Sequence, residues 1–153
     1  VAVIDFDVHH GNGTQAAFWD DAEMFYGSTH QMPLYPGSGA ADERGAGNIH
    51  NFPLPPGAGS AAFRQAFGDG LLPALTAFEP EFLVVSAGFD AHRADPLAQL
   101  QLATDDYAWA SERLLELADR HCAGRLVSTL EGGYDLHALA AATAAHVAAL
   151  MSA

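Results

Sequence analysis

Residues 5 to 14 read DFDVHHGNGT: two acids one residue apart, two consecutive histidines and a glycine-rich turn, directly after the apolar run Val1-Ala2-Val3-Ile4. In an extended strand, residues two apart share a face, so Asp5, Asp7 and His9 are expected to project together while Phe6 and Val8 face the other way. Carboxylate oxygen and imidazole nitrogen both suit Zn²⁺ or another divalent transition metal. A third ligand must come from another strand, and FLVVSAGFDAHRADP offers Asp90, just past the tip of an almost continuously apolar run. Two carboxylates and one imidazole neutralise a divalent ion and leave a coordination position open, the pattern of a catalytic metal site. In LVSTLEGGYDL two glycines permit close backbone approach, and Tyr134 stands just before a helix start at Asp135. A neutral phenol there can donate a hydrogen bond to an oxyanion. Each feature alone has a plain alternative, since Asp before a turn commonly forms an Asx turn and an isolated His or Tyr usually serves structure. Together, at three matching strand ends, they argue for one site.

The elements that must position these groups are legible as periodic runs. Strands are expected at Val1–Asp7, Met24–Ser28, Ile49–Leu54, Phe82–Ala87 and Arg125–Leu130. Between them lie helical patterns. Ser60 is expected to cap one that carries Phe63, Phe67, Leu71, Leu75 and Phe78, with Pro73 as a kink or break. Thr104 is expected to cap a second, through Trp109, Leu114, Leu115 and Leu117 to a stop near Gly124, and Asp135 a third. Strands alternating with helices of this length predict βαβ units and a three-layer α/β/α domain with a mostly parallel sheet. Ligands of such sheets gather beyond the strands' carboxyl ends, here the irregular stretches His30–Gly47 and Gly88–Ala103. His30 and His92 lie in those stretches as weaker candidates. His50, His121, His137 and His146 read as packed or partly exposed.

A formal net charge of −13 with only six Lys and Arg argues against direct nucleic-acid binding and suits a cationic ligand, although acidity also simply favours solubility. The single cysteine, Cys122, excludes a disulfide framework or a Cys-rich zinc site and fits a buried thiol in a reducing compartment, the cytoplasm. No signal-like segment or long apolar run suggests a membrane. The first residue is Val inside an apolar run, so the chain is expected to be a fragment with an incomplete sheet.

DFDVHHGNGT, SAGFDAHRADPL and LEGGYDL, in this order, with YGSTH and MPLYPGSG between them, resemble the histone deacetylase family, including its bacterial deacetylase-like and acetylpolyamine amidohydrolase members. The resemblance covers essentially the whole chain. It implies an arginase/deacetylase-like fold and makes residues 1–153 the C-terminal part of a single deacetylase catalytic domain. By resemblance, Asp7, His9 and Asp90 match the zinc ligands and Tyr134 the tyrosine that polarises the substrate carbonyl. Asp5 matches an acid that orients a catalytic histidine, and Asn12 stands beside a second histidine where members carry Asp or Asn. A structural potassium ion is implied at the carbonyls of Asp7, His9 and Thr29 with the side chains of Asp5 and Ser28, and an outer site near Phe18, Asp21 and Met24. Tyr35 matches an aromatic wall of the acyl-lysine channel, Leu97 its rim, and Gly133 a substrate-binding position.

The activity implied is zinc-dependent hydrolysis of the acetyl or acyl amide of lysine side chains or polyamines, with release of acetate. Family members also carry an upstream pair of consecutive histidines that moves the protons. His9-His10 cannot replace it, because His9 is committed to the metal and its neighbour faces the opposite side. The fragment is therefore expected to be inactive alone. Two other classes compete: a non-catalytic metal-containing acyl-lysine or polyamine binding module, and a binuclear manganese ureohydrolase. Homo-oligomers, as in polyamine-type relatives, are also compatible with the resemblance.

Overall fold

The computed structural model describes residues 1–152 and shows five parallel strands in the order β3-β2-β1-β4-β5. They are β1 (Ala2–Asp5), β2 (Phe25–Gln31), β3 (Ile49–Leu54), β4 (Leu83–Ala87) and β5 (Leu126–Leu130). Helices α1 (Asn12–Phe18), α2 (Ser60–Gln65), α3 (Leu72–Phe78), α4 (Thr104–His121) and α5 (Leu136–Leu150) cross between and follow them. The α/β class with a parallel sheet is as expected, and the carboxyl ends of all five strands lie on one edge. The chain steps outward from β1 to β2 and β3, then returns to the other side of β1 for β4 and β5. That reversal places a crevice at the carboxyl ends of β1 and β4, the switch point where ligands of parallel sheets sit.

Several boundaries differ from expectation. β1 stops at Asp5, and residues 7–9 form a bend rather than continuing the strand. β2 runs on to Gln31, so Thr29 and His30 are buried strand residues and not loop residues. α1 was not expected, because Asn12-Gly13 reads as a turn and a seven-residue helix leaves little periodicity. Ser60 and Thr104 are not caps: Gly59 and Ala103 hold those positions. The donor at Ala103 is satisfied from the other end, by Asp106 Oδ2 at 2.9 Å. Asp135 does cap α5, accepting from Ala138 N at 2.8 Å. Pro73 does not break the helix, which runs on from Ser60 to Phe78; the N–H it lacks is absorbed where the helix widens. The irregularity sits just before it, in a π-helical turn at Ala66–Leu71. Gly70 in that turn lies directly over the Phe52 ring, where a Cβ would collide.

One core joins these elements. Phe6, Phe89 and Tyr107 pack edge-on or tilted with centroids 5.1–6.1 Å apart, locking the segments after β1 and β4 onto α4. Asp106, fully buried, ties α4 to α2: it accepts from Ser60 Oγ at 2.6 Å and from Arg64 Nε at 2.7 Å besides capping Ala103. Asp106→Ala strands three donors and should cost about 2–3 kcal/mol. That is below the range for a fully buried pair, because Arg64 is 40 % exposed at its side chain and can reach water. Urea unfolding measures it; a loss under about 0.5 kcal/mol would show the hub to be ornamental.

β5 ends the strand order with no strand on its outer side among the described residues. Val127 and Leu130 are 52 % and 59 % exposed there.

Candidate active site

Register brings the candidate groups together. Asp5 lies beside Ser86 in the β1–β4 ladder, and Ala87 beside Leu130 in the β4–β5 ladder, so the segments 6–10, 88–92 and 131–134 leave the sheet side by side. Two Asx turns then fold the first segment: Asp7 N donates to Asp5 Oδ1 at 3.0 Å, and His9 N to Asp7 Oδ1 at 2.8 Å. The turn reading of these acids is therefore what the structure shows, and it leaves their remaining oxygens available as ligands. Strand alternation is not what aligns Asp7 with His9; the turns do it.

His9 Nδ1 lies 3.0 Å from Asp7 Oδ1 and 3.1 Å from Asp90 Oδ2. One ligand atom from each of the three residues falls within 4.8 Å of the others, the one such cluster among the described residues. The second oxygen of each carboxylate is held by the backbone, Asp90 Oδ1 by Val8 N and Asp7 Oδ2 by Gly132 N, each at 2.8 Å. Those bonds aim the carboxylates before anything binds. Gly132 must be glycine, because a Cβ would collide with the carboxylate oxygens of Asp90 and Asp7. Burial pushes the Asp90 carboxyl up to about 7, and the negative charge of Asp7 adds to it. Two carboxylates converging on one imidazole, one of them deprived of water, form a donor set that fits a divalent cation.

Tyr134 follows Gly133, whose φ of +141° belongs to glycine. Its side chain is 55 % exposed and lines, with Asp5, Asp7, His9 and Gly132, a cleft of about 460 Å³. Desolvation and then the charges of Asp90, Asp7 and Asp95 hold the phenol above its ordinary range, so it stays a protonated donor at neutral pH.

Asp5 is buried, accepts from Tyr26 OH at 2.9 Å, and faces the cleft. Burial raises its carboxyl to about 8, with the Tyr26 bond pulling it back. Ser28 stands opposite Asp5 in the β1–β2 ladder, with Thr29 beside it, both buried, so the side chains expected at a potassium ion are neighbours. The outer cation site stands differently. Asn48 Nδ2 lies 2.9, 2.9 and 2.6 Å from the carbonyls of Phe18, Asp21 and Met24, which share its two hydrogens, while Ala46 N donates to its Oδ1. The three carbonyls do converge, but on this amide, which occupies the place the resemblance gave to an ion.

The remaining candidates are not members of the cluster, although His10 lines the cleft beside it. Asn12 is exposed at the first turn of α1 and does not line the cleft. Tyr35 and Leu97 are exposed loop residues, Tyr35 before a cis proline. His10 turns from His9 as expected, bonding Ser38 Oγ at 2.8 Å and Gln15 Oε1 at 2.9 Å. His30 is buried between Ser28 Oγ and Gly39 O, and His92 packs along Tyr107. His146, also buried, bridges Ser111 and Ser128. Sequence reasoning missed Asp95, whose carboxylate holds the backbone of Tyr134; its signal was the Asp-Pro step in HRADPL, which also reads as a simple turn.

A family model described as a histone deacetylase domain matches residues 1–150. Histone deacetylase 10, chloroplastic, of Oryza sativa subsp. japonica is 47 % identical over 148 residues, 94 % of this chain and 33 % of that protein. A histone deacetylase-like amidohydrolase of Pseudomonas aeruginosa is 46 % identical over 139 residues, 88 % of this chain and 37 % of that protein. Among solved structures, the HDA15 HD domain superposes with a TM-score of 0.92 at 38 % identity, covering 99 % of this chain and 44 % of that one. An acetylpolyamine aminohydrolase from Burkholderia pseudomallei gives 0.86 at 33 % identity, covering 97 % and 44 %. The chain thus spans between a third and a half of the length of these relatives.

Proposed function

Since the chain belongs to the histone deacetylase family, we propose that it carries the metal-holding and oxyanion-binding part of a deacetylase acting on acetylated lysine or acetylpolyamine. The observation that carries the reading is the Asp7–His9–Asp90 triangle, whose Asp7 and His9 line the same cleft as Tyr134. Asp7, His9 and Asp90 would hold the ion, and zinc is the choice that a His and two carboxylates suit. Bound there, it supplies Lewis acidity toward the amide carbonyl and toward water. The chain's own residues do the rest. Val8 N and Gly132 N keep the two carboxylates aimed inward, and Tyr134 OH donates to the carbonyl oxygen as charge develops on it. Asp5, buried at the cleft wall, would orient an imidazole from outside residues 1–153 and, with Ser28 and Thr29, would hold a potassium ion. Tyr35, Leu97 and Gly133 would line the acyl channel, and Asn12 would meet a second outside imidazole. The lone buried thiol fits a cytoplasmic setting. No helix among the described residues is long and apolar enough to cross a membrane.

The test is acetate release from an acetyl-lysine peptide and from acetylputrescine by the full-length protein, before and after dialysis against a chelator, with metal content measured in parallel. Activity lost on chelation and restored by zinc supports the reading. Binding of either substrate without turnover would favour a binding module, and two manganese ions per chain a ureohydrolase. Tyr134→Phe should lower kcat by about 10²–10³-fold, the usual loss for one oxyanion donor, with metal content unchanged. A loss under tenfold would remove Tyr134 from the reaction.

A further inference from the structure

Among the described residues the Tyr134 phenol makes no hydrogen bond, and the residue is more than half exposed. Two glycines precede it, Gly133 with a φ open only to glycine, so the local backbone is permissive as well. What places it is its own N–H, which donates to Asp95 Oδ2 at 2.7 Å. The Asp135 N–H reaches the same oxygen at 3.4 Å, and Leu97 N donates to Oδ1 at 3.0 Å. Asp95 is buried and pairs with no cation among the described residues, so three backbone amides and the start of α5 are what its charge meets.

A carboxylate at a helix start could be only a cap. Here that position is already filled, because Asp135 caps α5 through Ala138 N. Asp95 adds a bond one residue earlier, to the tyrosine itself. Its other oxygen holds Leu97, an exposed residue of the 88–103 loop, so one rigid side chain joins that loop to the tyrosine segment. We propose that Asp95 is a positioning residue for the Tyr134 phenol and couples it to the loop carrying Leu97. This inference rests on the deacetylase reading. It adds to it a residue that touches neither metal nor substrate and acts through the backbone.

Asp95→Asn in the full-length protein keeps the size but removes the charge and turns one acceptor into a donor. It should lower kcat on the order of 10²-fold, the scale of a misplaced catalytic group, with KM and metal content little changed. The decisive reading is a double-mutant cycle. If Asp95 acts through Tyr134, Asp95→Asn lowers kcat no further in a Tyr134→Phe background. Losses that multiply, or a kcat unchanged in the single variant, overturn the proposal. Should Asp95→Asn not fold, Asp95→Ser enters the same cycle. Amide exchange at Tyr134 in the unaltered protein gives an independent reading: protection well above open-chain exchange is expected, and none would overturn the bond itself. That exchange measurement does not depend on activity. A protein that releases no acetate yet protects this amide would sink the deacetylase reading and leave the Asp95 contact standing.

Discussion

Asp90→Ala in the full-length protein should abolish stoichiometric metal binding and lower acetate release on the order of 10³-fold or more, since metal activation is worth several kcal/mol. The expectation rests on how little else can substitute. Asp90 is the buried member of the triangle, aimed by Val8 N, and its Oδ2 is one of two anionic partners of His9 Nδ1. Removing it leaves one carboxylate and one imidazole, too few for a tight divalent site. It also leaves Val8 N without its partner. Some stability should therefore fall even without metal, about 1–3 kcal/mol for a buried donor stranded. Metal content by mass spectrometry separates the two effects. Asp90→Asn keeps the acceptor for Val8 N and should spare stability while still weakening the metal. Full metal occupancy and activity in Asp90→Ala would end the assignment of this cluster as a catalytic centre.

The candidate site could be read from the sequence because its residue types are concentrated in three short strings that end strands. Asp7, His9, Asp90 and Tyr134 are residues whose side chains have few other reasons to cluster beyond a parallel sheet. Why they align was not legible: period-two alternation was expected to do it, and two Asx turns after Asp5 do it instead. The parallel sheet followed from alternating strands and helices. Caps at Ser60 and Thr104 did not, because a hydroxyl before an apolar run is a local signal, whereas Ser60 is claimed by Asp106, 46 positions away. Asn48 was hidden for a related reason. Three backbone carbonyls meeting one amide leave no mark in residue types, since a carbonyl is common to every residue. Asp95 shows the same limit, as its partner is the main chain of Tyr134.

Residues 1–153 assayed alone should hydrolyse an acetyl-lysine peptide about 10²–10⁴-fold more slowly than the chain extended upstream, the usual contribution of a positioned acid–base group. The argument is one of elimination within the cleft. A general base must reach the attacking water with an unengaged basic nitrogen or carboxylate oxygen. His9 has its Nδ1 against two carboxylates, and as a ligand through that nitrogen it would carry its proton on Nε2, which is then no base; His10 has both nitrogens engaged, with Ser38 and Gln15. Asp5 is buried against Tyr26 and so serves better as a partner for an imidazole than as the base. Glu131 lines the cleft, exposed and bonded to Ser86 Oγ at 3.0 Å; it is the one carboxylate that could act as a weak base and set the residual rate. Glu131→Gln in the short chain should remove that residue of activity and leave the extended chain within about threefold. Stability should move in parallel. β5 has no strand on its outer side among the described residues, and Val127 and Leu130 on it are more than half exposed, so a segment that pairs with that edge should raise the urea midpoint. Equal rates in the short and extended chains would mean that a base already lies within residues 1–153, and the partition of labour between Asp5 and an outside imidazole would have to be abandoned.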